Sequence, residues 1–322
     1  MVVQANKLLW RLLIHLFSRL MSVIKYMKKI YIVGSSGLIG QDLQTQLDQK
    51  KIKYIGTYCK NKKRENEQFF DMLQQSKSEF TKKLEKKSVV FLLSAYSNPS
   101  WIYLNKKEAK KLNLESTKEL IEKLVEKESR IIFMSSVEVF NGEKGNYNED
   151  DEPNPLNYYG ELKLEIEEFL NKTTSSYTIV RTGWNVGMNN EKRCVVRLTY
   201  ESLLKNDPKM AKDNVFSIIT SKNTAEALEK LISYENIKKI HLASDNPVIR
   251  TELAKSVLNE SKNIGLNNFT ECLFKEIKYS EPRARLNDLD NSFAKNILNL
   301  RFTSTEEIIK QKTHLLDRIY LG

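Results

Sequence analysis

Ser136, Tyr159 and Lys163 are the residues whose types and spacing point to a reaction. In 157-NYYGELK-163, Tyr159 has a lysine four residues downstream, whereas Tyr158 has Leu162 there. Residues i and i+4 of a helix share a face. A tyrosine with an ordinary pKa of about 10 is a poor base and a weak acid near neutrality. A neighbouring ammonium favours the tyrosinate and lowers that pKa. Such a phenol can exchange a proton with a carbonyl or alcohol oxygen. A serine hydroxyl at the end of 130-RIIFMSS-136 can hold the same oxygen. The chain has 40 lysines and 14 tyrosines, and the pattern Y-x-x-x-K occurs four times, at Tyr58/Lys62, Tyr103/Lys107, Tyr159/Lys163 and Tyr234/Lys238. Context must therefore choose among them. Tyr58 falls in a basic loop, Tyr103 before its helix begins, and Tyr234 near a helix end. Only Tyr159 sits early in a helix that follows a strand ending in serines.

Those elements belong to an alternating pattern. Apolar runs at 29–33, 52–57, 88–95, 130–136 and 176–182 read as strands. Helical spacing covers 38–48, 105–127 and about 158–170, and Ser304-x-x-Glu307 opens a last helix over 304–320. Strands alternating with helices predict an α/β fold with a parallel sheet covered on both faces. From about Asn185 the pattern loosens, and 237–243 reads as a late strand returning to the main sheet.

The first predicted strand runs into 34-GSSGLIG-40. Glycines between a strand and a helix let the backbone approach a pyrophosphate at the helix N-terminus. In that context Gly34, Ser36, Gly37, Leu38, Ile39 and Gly40 are candidate dinucleotide contacts; a plain tight turn is the alternative. The end of the second strand, 54-YIGTYCKNKKR-64, offers no acid for a ribose 2′-hydroxyl. It supplies Lys60, Lys62, Lys63 and Arg64, which would welcome a 2′-phosphate, unless they form only a solvated loop. NADP(H) is therefore favoured, with NAD(H) as the alternative. With nicotinamide at hand, the tyrosine would exchange its proton with the oxygen while hydride moves between the carbon and nicotinamide.

On these residues the chain resembles the extended short-chain dehydrogenase/reductase family. Within it, the chain is most similar to the dTDP-4-dehydrorhamnose reductase branch and its sugar-nucleotide relatives. The stretch 134-MSSVEVFNGEKGNYNEDDEPNPLNYYGELKLEIEEFL-170 carries most of the likeness, with 113-NLESTKEL-120, 180-VRTGWNVG-187, 241-HLASDNPVIRTELAKSV-257 and 282-PRARLNDLDNS-292. The resemblance implies a Rossmann-type doubly wound parallel sheet over 27–185 and a smaller C-terminal substrate-binding subdomain over 186–322. It implies that Ser136 is the family's Ser/Thr, Tyr159 its proton donor and Lys163 its ribose-binding lysine. Ala95 would contact cofactor, and Val137 and Trp184 would contact substrate. Asn113 matches an asparagine of the long central helix, with a catalytic and a purely structural role equally open. The implied activity is NADPH-dependent reduction of a 4-keto nucleotide-diphosphate sugar. An NAD-dependent sugar-nucleotide epimerase and a non-catalytic nucleotide-binding regulatory subunit are the alternatives. Two departures stand out. Val137 replaces the usual Asp, leaving Glu138 alone where dehydratases have an Asp-Glu pair, and Leu162 replaces a small residue. Arg181, Arg283 and Arg285 could hold a diphosphate or form structural ion pairs; His241 reads as a core histidine.

Composition narrows the partners. The net charge is +11, but the basic residues are 40 lysines against 12 arginines, spread among glutamates as on a solvated helix face. That argues against nucleic acid and suits a phosphorylated small molecule. Cys59, Cys194 and Cys272 have neither metal nor disulfide spacing, as expected in a reducing cytoplasm. A homodimer is compatible with this class. Residues 1–26 are basic, with Arg11, His15 and Arg19 on one helical face of an apolar stretch. They read either as sequence upstream of a start at Met27 or as a helix lying on a membrane surface.

Overall fold

The computed structural model describes residues 28–74, 80, 82–190, 194–205, 207–264 and 268–321. The 1–26 extension, with its expected membrane contact, lies outside the described residues. Among the described residues no helix is long and apolar enough to cross a membrane.

Short apolar runs build the central sheet. In chain order the first elements are β1 (Ile30–Val33), α1 (Leu38–Gln49), β2 (Tyr54–Tyr58), β3 (Glu67–Phe69) and β4 (Val89–Leu92). Helices α2 (Pro99–Leu104), α3 (Lys106–Lys110) and α4 (Thr117–Glu126) lead to β5 (Arg130–Met134), α5 (Tyr158–Thr173), β6 (Tyr177–Thr182) and β7 (Trp184–Val186). Then come α6 (Val195–Leu203), β8 (Lys209–Ala211), β9 (Val215–Phe216), β10 (Ile218–Thr220), α7 (Ser221–Leu231) and β11 (Lys239–Leu242). The chain ends with β12 (Val248–Ile249), α8 (Arg250–Glu260), β13 (Thr270–Cys272), β14 (Leu286–Asn287), α9 (Ser292–Leu298) and α10 (Thr305–Leu321).

Seven strands pair in parallel in the order β11-β6-β5-β4-β1-β2-β3. The direction of winding reverses between β1 and β4, the place where open α/β sheets bind ligands. Alternate residues of β1 feed two cores. Ile30 and Ile32 pack with Leu43 and Leu47 of α1 and Leu228 of α7, while Tyr31 and Val33 join the core holding Leu120, Ile121 and Ile166. Covering both faces is why β1, β4 and β5 are buried throughout. A third core, including Tyr200, Leu203, Val257 and Ile308, holds the smaller lobe and its short sheets. The late strand expected at 237–243 is β11, which pairs with β6.

Three expectations about elements need correction. Residues 105–127 are not one α-helix. Lys111–Ser116 forms a π-helical turn between α3 and α4. Its Asn113 accepts from the Tyr96 amide at 2.9 Å and donates to the Tyr96 carbonyl at 2.8 Å, so the bulge turns a polar side chain inward to fasten the segment after β4. Tyr103 lies inside a helix, because Asn98 caps α2 ahead of Pro99. Tyr58 is the last residue of β2, and β3 was missed because its one buried side chain is polar, Glu67.

Candidate active site

A cavity of about 490 Å³ opens at the reversal point of the sheet. Gly34, Gly37, Leu38, Ile39 and Gly40 form one wall, and Ala95 adjoins them. Gly34 has φ of 89°, and a Cβ there would come within 2.8 Å of the Ser94 amide nitrogen. Glycine alone lets the turn form and the two loops touch. No side chain caps α1, and its first turn holds no acid, so its N-terminus suits an anion. Ser36 is not among the lining residues; its carbonyl accepts from Gln41 instead. Lys60 is exposed on the loop beyond β2 and also does not line the cavity.

The basic loop is organised from beneath by Glu67, which is buried and lies close to the glycine loop. Its carboxylate accepts from Ser35 Oγ at 2.8 Å, Gln44 Nε2 at 3.0 Å and the Lys63 and Arg64 amides at 2.6 and 3.2 Å. Burial raises its pKa, yet these donors together bring it below the ordinary value. Arg64 does not reach outward as a 2′-phosphate ligand would. It turns back onto α1, pairing with Asp48 and donating to Thr45 Oγ1 at 2.7 Å, because that acid and hydroxyl offer it fixed acceptors. Lys60, Lys62 and Lys63 remain exposed.

The opposite wall carries Ser136, Tyr159 and Lys163. Asn157 caps α5 by accepting from the Gly160 amide at 3.0 Å, which starts the helix just ahead of Tyr159. A Cβ on Gly160 would lie 2.0 Å from the Glu138 carbonyl oxygen. The glycine thus allows the first turn of α5 to press against the 3-10 turn Val137–Val139, bringing Tyr159 to the same cavity as Ser136. Gly160→Ala is expected to cost about 1–3 kcal/mol through overpacking. Urea unfolding measures it, and an unchanged midpoint would show that the turn relaxes freely.

Lys163 is buried, and its ammonium donates to the Met134 carbonyl at 2.7 Å. It lies 4.6 Å from the Phe133 ring centre and 5.8 Å from that of Tyr159. Burial pushes its pKa down to about 8, against the opposing pull of Glu167 one turn along α5. The other three Y-x-x-x-K pairs do not line the cavity. Tyr103 is covered by Lys106, not Lys107. Lys238 lies over Tyr177, and Tyr58 meets Phe69 edge-on. Tyr158 also lies under Lys106, and burial and then Glu165 raise its pKa.

Val137 and Trp184 line the cavity beside Ser136. Lys312 of α10 is fully buried and donates to the Gly187 and Asn189 carbonyls at 2.6 and 2.8 Å, anchoring the segment that follows Trp184. Leu162 is buried in the core beneath α5. Arg181 does not face the cavity. It forms a buried ion pair with Glu167 at 2.6 Å, and Ser135 donates to the same carboxylate. His241 is fully buried against this pair; burial and then Arg181 push its pKa down to about 3, so it stays neutral. Arg283 pairs with the buried Glu281 at 2.5 Å. Arg285 is exposed.

The sequence reading missed Glu138 as a lining residue, and also Asn185 and Asn287. Asn287 comes from β14, carried to the cavity by a segment that bonds both lobes. Leu286 donates to the Gly142 carbonyl, Tyr147 to the Asp288 carbonyl, and Ser217 to the Asn287 carbonyl. The stretch 282–292 was legible as a motif, but nothing local marks which of its residues faces the site.

A family profile described as RmlD substrate binding domain matches residues 27–315. Among curated proteins, the spore coat polysaccharide biosynthesis protein SpsK of Bacillus subtilis is 30% identical over 135 residues, covering 41% of this chain and 47% of that one. Methionine adenosyltransferase 2 subunit beta of Bos taurus is 25% identical over 154 residues, covering 48% and 46%. The chain thus spans about half the length of the curated relatives it matches. A crystal structure of dTDP-4-dehydrorhamnose reductase from Bacillus anthracis in complex with NADP shares the fold. Its TM-score is 0.75 at 18% identity, covering 88% of this chain and 98% of that one.

Proposed function

The chain belongs to the family of the RmlD substrate binding domain, and from that premise we propose that it reduces the 4-keto group of a nucleotide-diphosphate sugar with NADPH. One observation carries the reading: Ser136, Tyr159 and Lys163 share a single cavity with the glycine loop. The residues present fit a dinucleotide. The uncapped N-terminus of α1 and the close backbone at Gly34 suit a pyrophosphate. Ala95 adjoins them, and the cavity volume lies within the usual range for small-molecule sites. When bound, the nicotinamide supplies the hydride.

In this reading Ser136 orients the keto oxygen through its hydroxyl. Tyr159 delivers a proton to that oxygen. Lys163, on the same helical face, favours the tyrosinate left behind and binds the cofactor's ribose. Val137 and Trp184 make the apolar side of the sugar site. In the smaller lobe, Arg250 is the candidate to meet a diphosphate's charge. Arg250 lies over Phe216 at 4.6 Å, burial pushes its pKa down to about 10, and no carboxylate pairs with it among the described residues. Arg250 is half-buried, with the Thr199 hydroxyl at 3.4 Å as an acceptor, and a diphosphate would give its guanidinium a stronger one. NADPH remains favoured over NADH on the three exposed lysines, now without Arg64.

The test is a screen of nucleotide-sugar 4-ketones with NADPH and with NADH, following cofactor absorbance. Oxidation of NADPH by at least one ketosugar, faster than of NADH, is expected. No oxidation with any of them sinks the reductase reading. A second reading is a nucleotide-binding subunit without turnover, favoured by the similarity to methionine adenosyltransferase 2 subunit beta.

A further inference from the structure

We propose that Glu138 reads a hydroxyl of the sugar ring and so determines which ketosugar is accepted. The inference rests on the reductase reading above.

The carboxylate is held by two amides. Asn157 Nδ2 donates to its Oε2 at 2.6 Å, and Asn287 Nδ2 donates to its Oε1 at 3.0 Å. Asn157 is fixed because its own Oδ1 accepts from the Gly160 amide. The main chain of Asn287 is held by strand pairing, its backbone carbonyl accepting from the Ser217 amide. A carboxylate has about four acceptor positions. Two of Glu138's are spent on these amides, and the residue lines the cavity beside Ser136 and Tyr159. The remaining acceptor capacity calls for a donor from the ligand, and a sugar ring supplies hydroxyls.

Ser135 and Asn185 are committed inward, and Asn287 Oδ1 is buried without a hydrogen-bond partner among the described residues. Ser135 donates to Glu167. Asn185 donates to Thr182 Oγ1 at 2.9 Å and accepts from Thr224 Oγ1 at 2.6 Å. Val137 and Trp184 are hydrophobic neighbours, though the indole keeps one N–H. Discrimination among hydroxyl patterns therefore falls on Glu138, with Asn157 and Asn287 as positioning residues. The pKa of Glu138 is raised overall, by burial first; Asn157, Arg283 and Asn287 oppose the shift without cancelling it.

The experiment compares kcat/KM with NADPH for dTDP-4-dehydrorhamnose and its analogues lacking the 2- or the 3-hydroxyl, in the wild-type protein and in Glu138→Ala. The wild type should prefer the parent sugar over one analogue by about 10- to 100-fold. Glu138→Ala should bring that ratio to within about twofold while NADPH still binds. Should Glu138→Ala fail to fold, Glu138→Gln, of the same shape, should lower the ratio at least about threefold. A ratio unchanged in the variant, or no preference in the wild type, overturns the inference while leaving the reductase reading intact. No turnover of any ketosugar by the wild type overturns both.

Discussion

Tyr159→Phe is expected to lower turnover by about 10²–10⁴-fold, the usual worth of a positioned general acid. The substitution removes one oxygen from a side chain that is 8% exposed, so the fold and cofactor binding should survive. Cofactor fluorescence titration beside steady-state rates separates the two effects. A protein that binds nucleotide equally well before and after the change, and turns nothing over in either form, would be a binding subunit. The pH profile adds a second check. Lys163 titrates near 8, lowered chiefly by burial. Its charge is what favours the tyrosinate, so kcat/KM should fall as pH rises through about 8. Stability should move the other way. Lysine in the unfolded chain keeps its proton to about 10.4. Between the two values the unfolded state binds more protons, so Lys163's contribution to stability rises with pH there. A flat profile across that window would remove Lys163 from the mechanism.

Arg181→Met should give the largest stability loss in the main sheet, about 3–5 kcal/mol. Arg181 and Glu167 are both nearly inaccessible, and the arginine donates twice to the carboxylate, at 2.6 and 3.1 Å. Losing the arginine leaves Glu167 charged and buried, with Ser135 as its remaining neutral donor. The double change Arg181→Met, Glu167→Leu should recover most of the loss, because a well-packed apolar pair often matches a buried ion pair. Denaturant midpoints of the wild type and three variants form the cycle. Equal losses in the single and double variants would show that packing volume, not uncompensated charge, carries the effect.

The central strands were legible because full burial leaves only apolar side chains, as in Ile30–Val33 and Val89–Leu92. The Tyr159/Lys163 pair was legible because its helix follows a strand, which is local information. Other features depended on contacts across the chain. Arg181 offered itself equally to a diphosphate or an ion pair until Glu167, on another element, took it. The π-helical turn at Asn113 could not be read from periodicity, since its purpose is a bond to Tyr96 seventeen residues earlier. Glu138 was noted as a leftover of a missing pair, but its importance lies in Asn287, brought in from nearly 150 residues away.

That distant origin has a consequence for synthesis. The chain leaves the ribosome N-terminus first, so the glycine loop and the Tyr159 helix emerge well before β11 and β14. Until Lys239–Leu242 appears, the outer edge of β6 has no partner. A nascent chain at that stage carries an unpaired apolar strand edge, the kind of surface that chaperones cover and that aggregates when they do not. The glycine loop is made early, and the contact between Glu138 and Asn287 can form only after β14 has emerged.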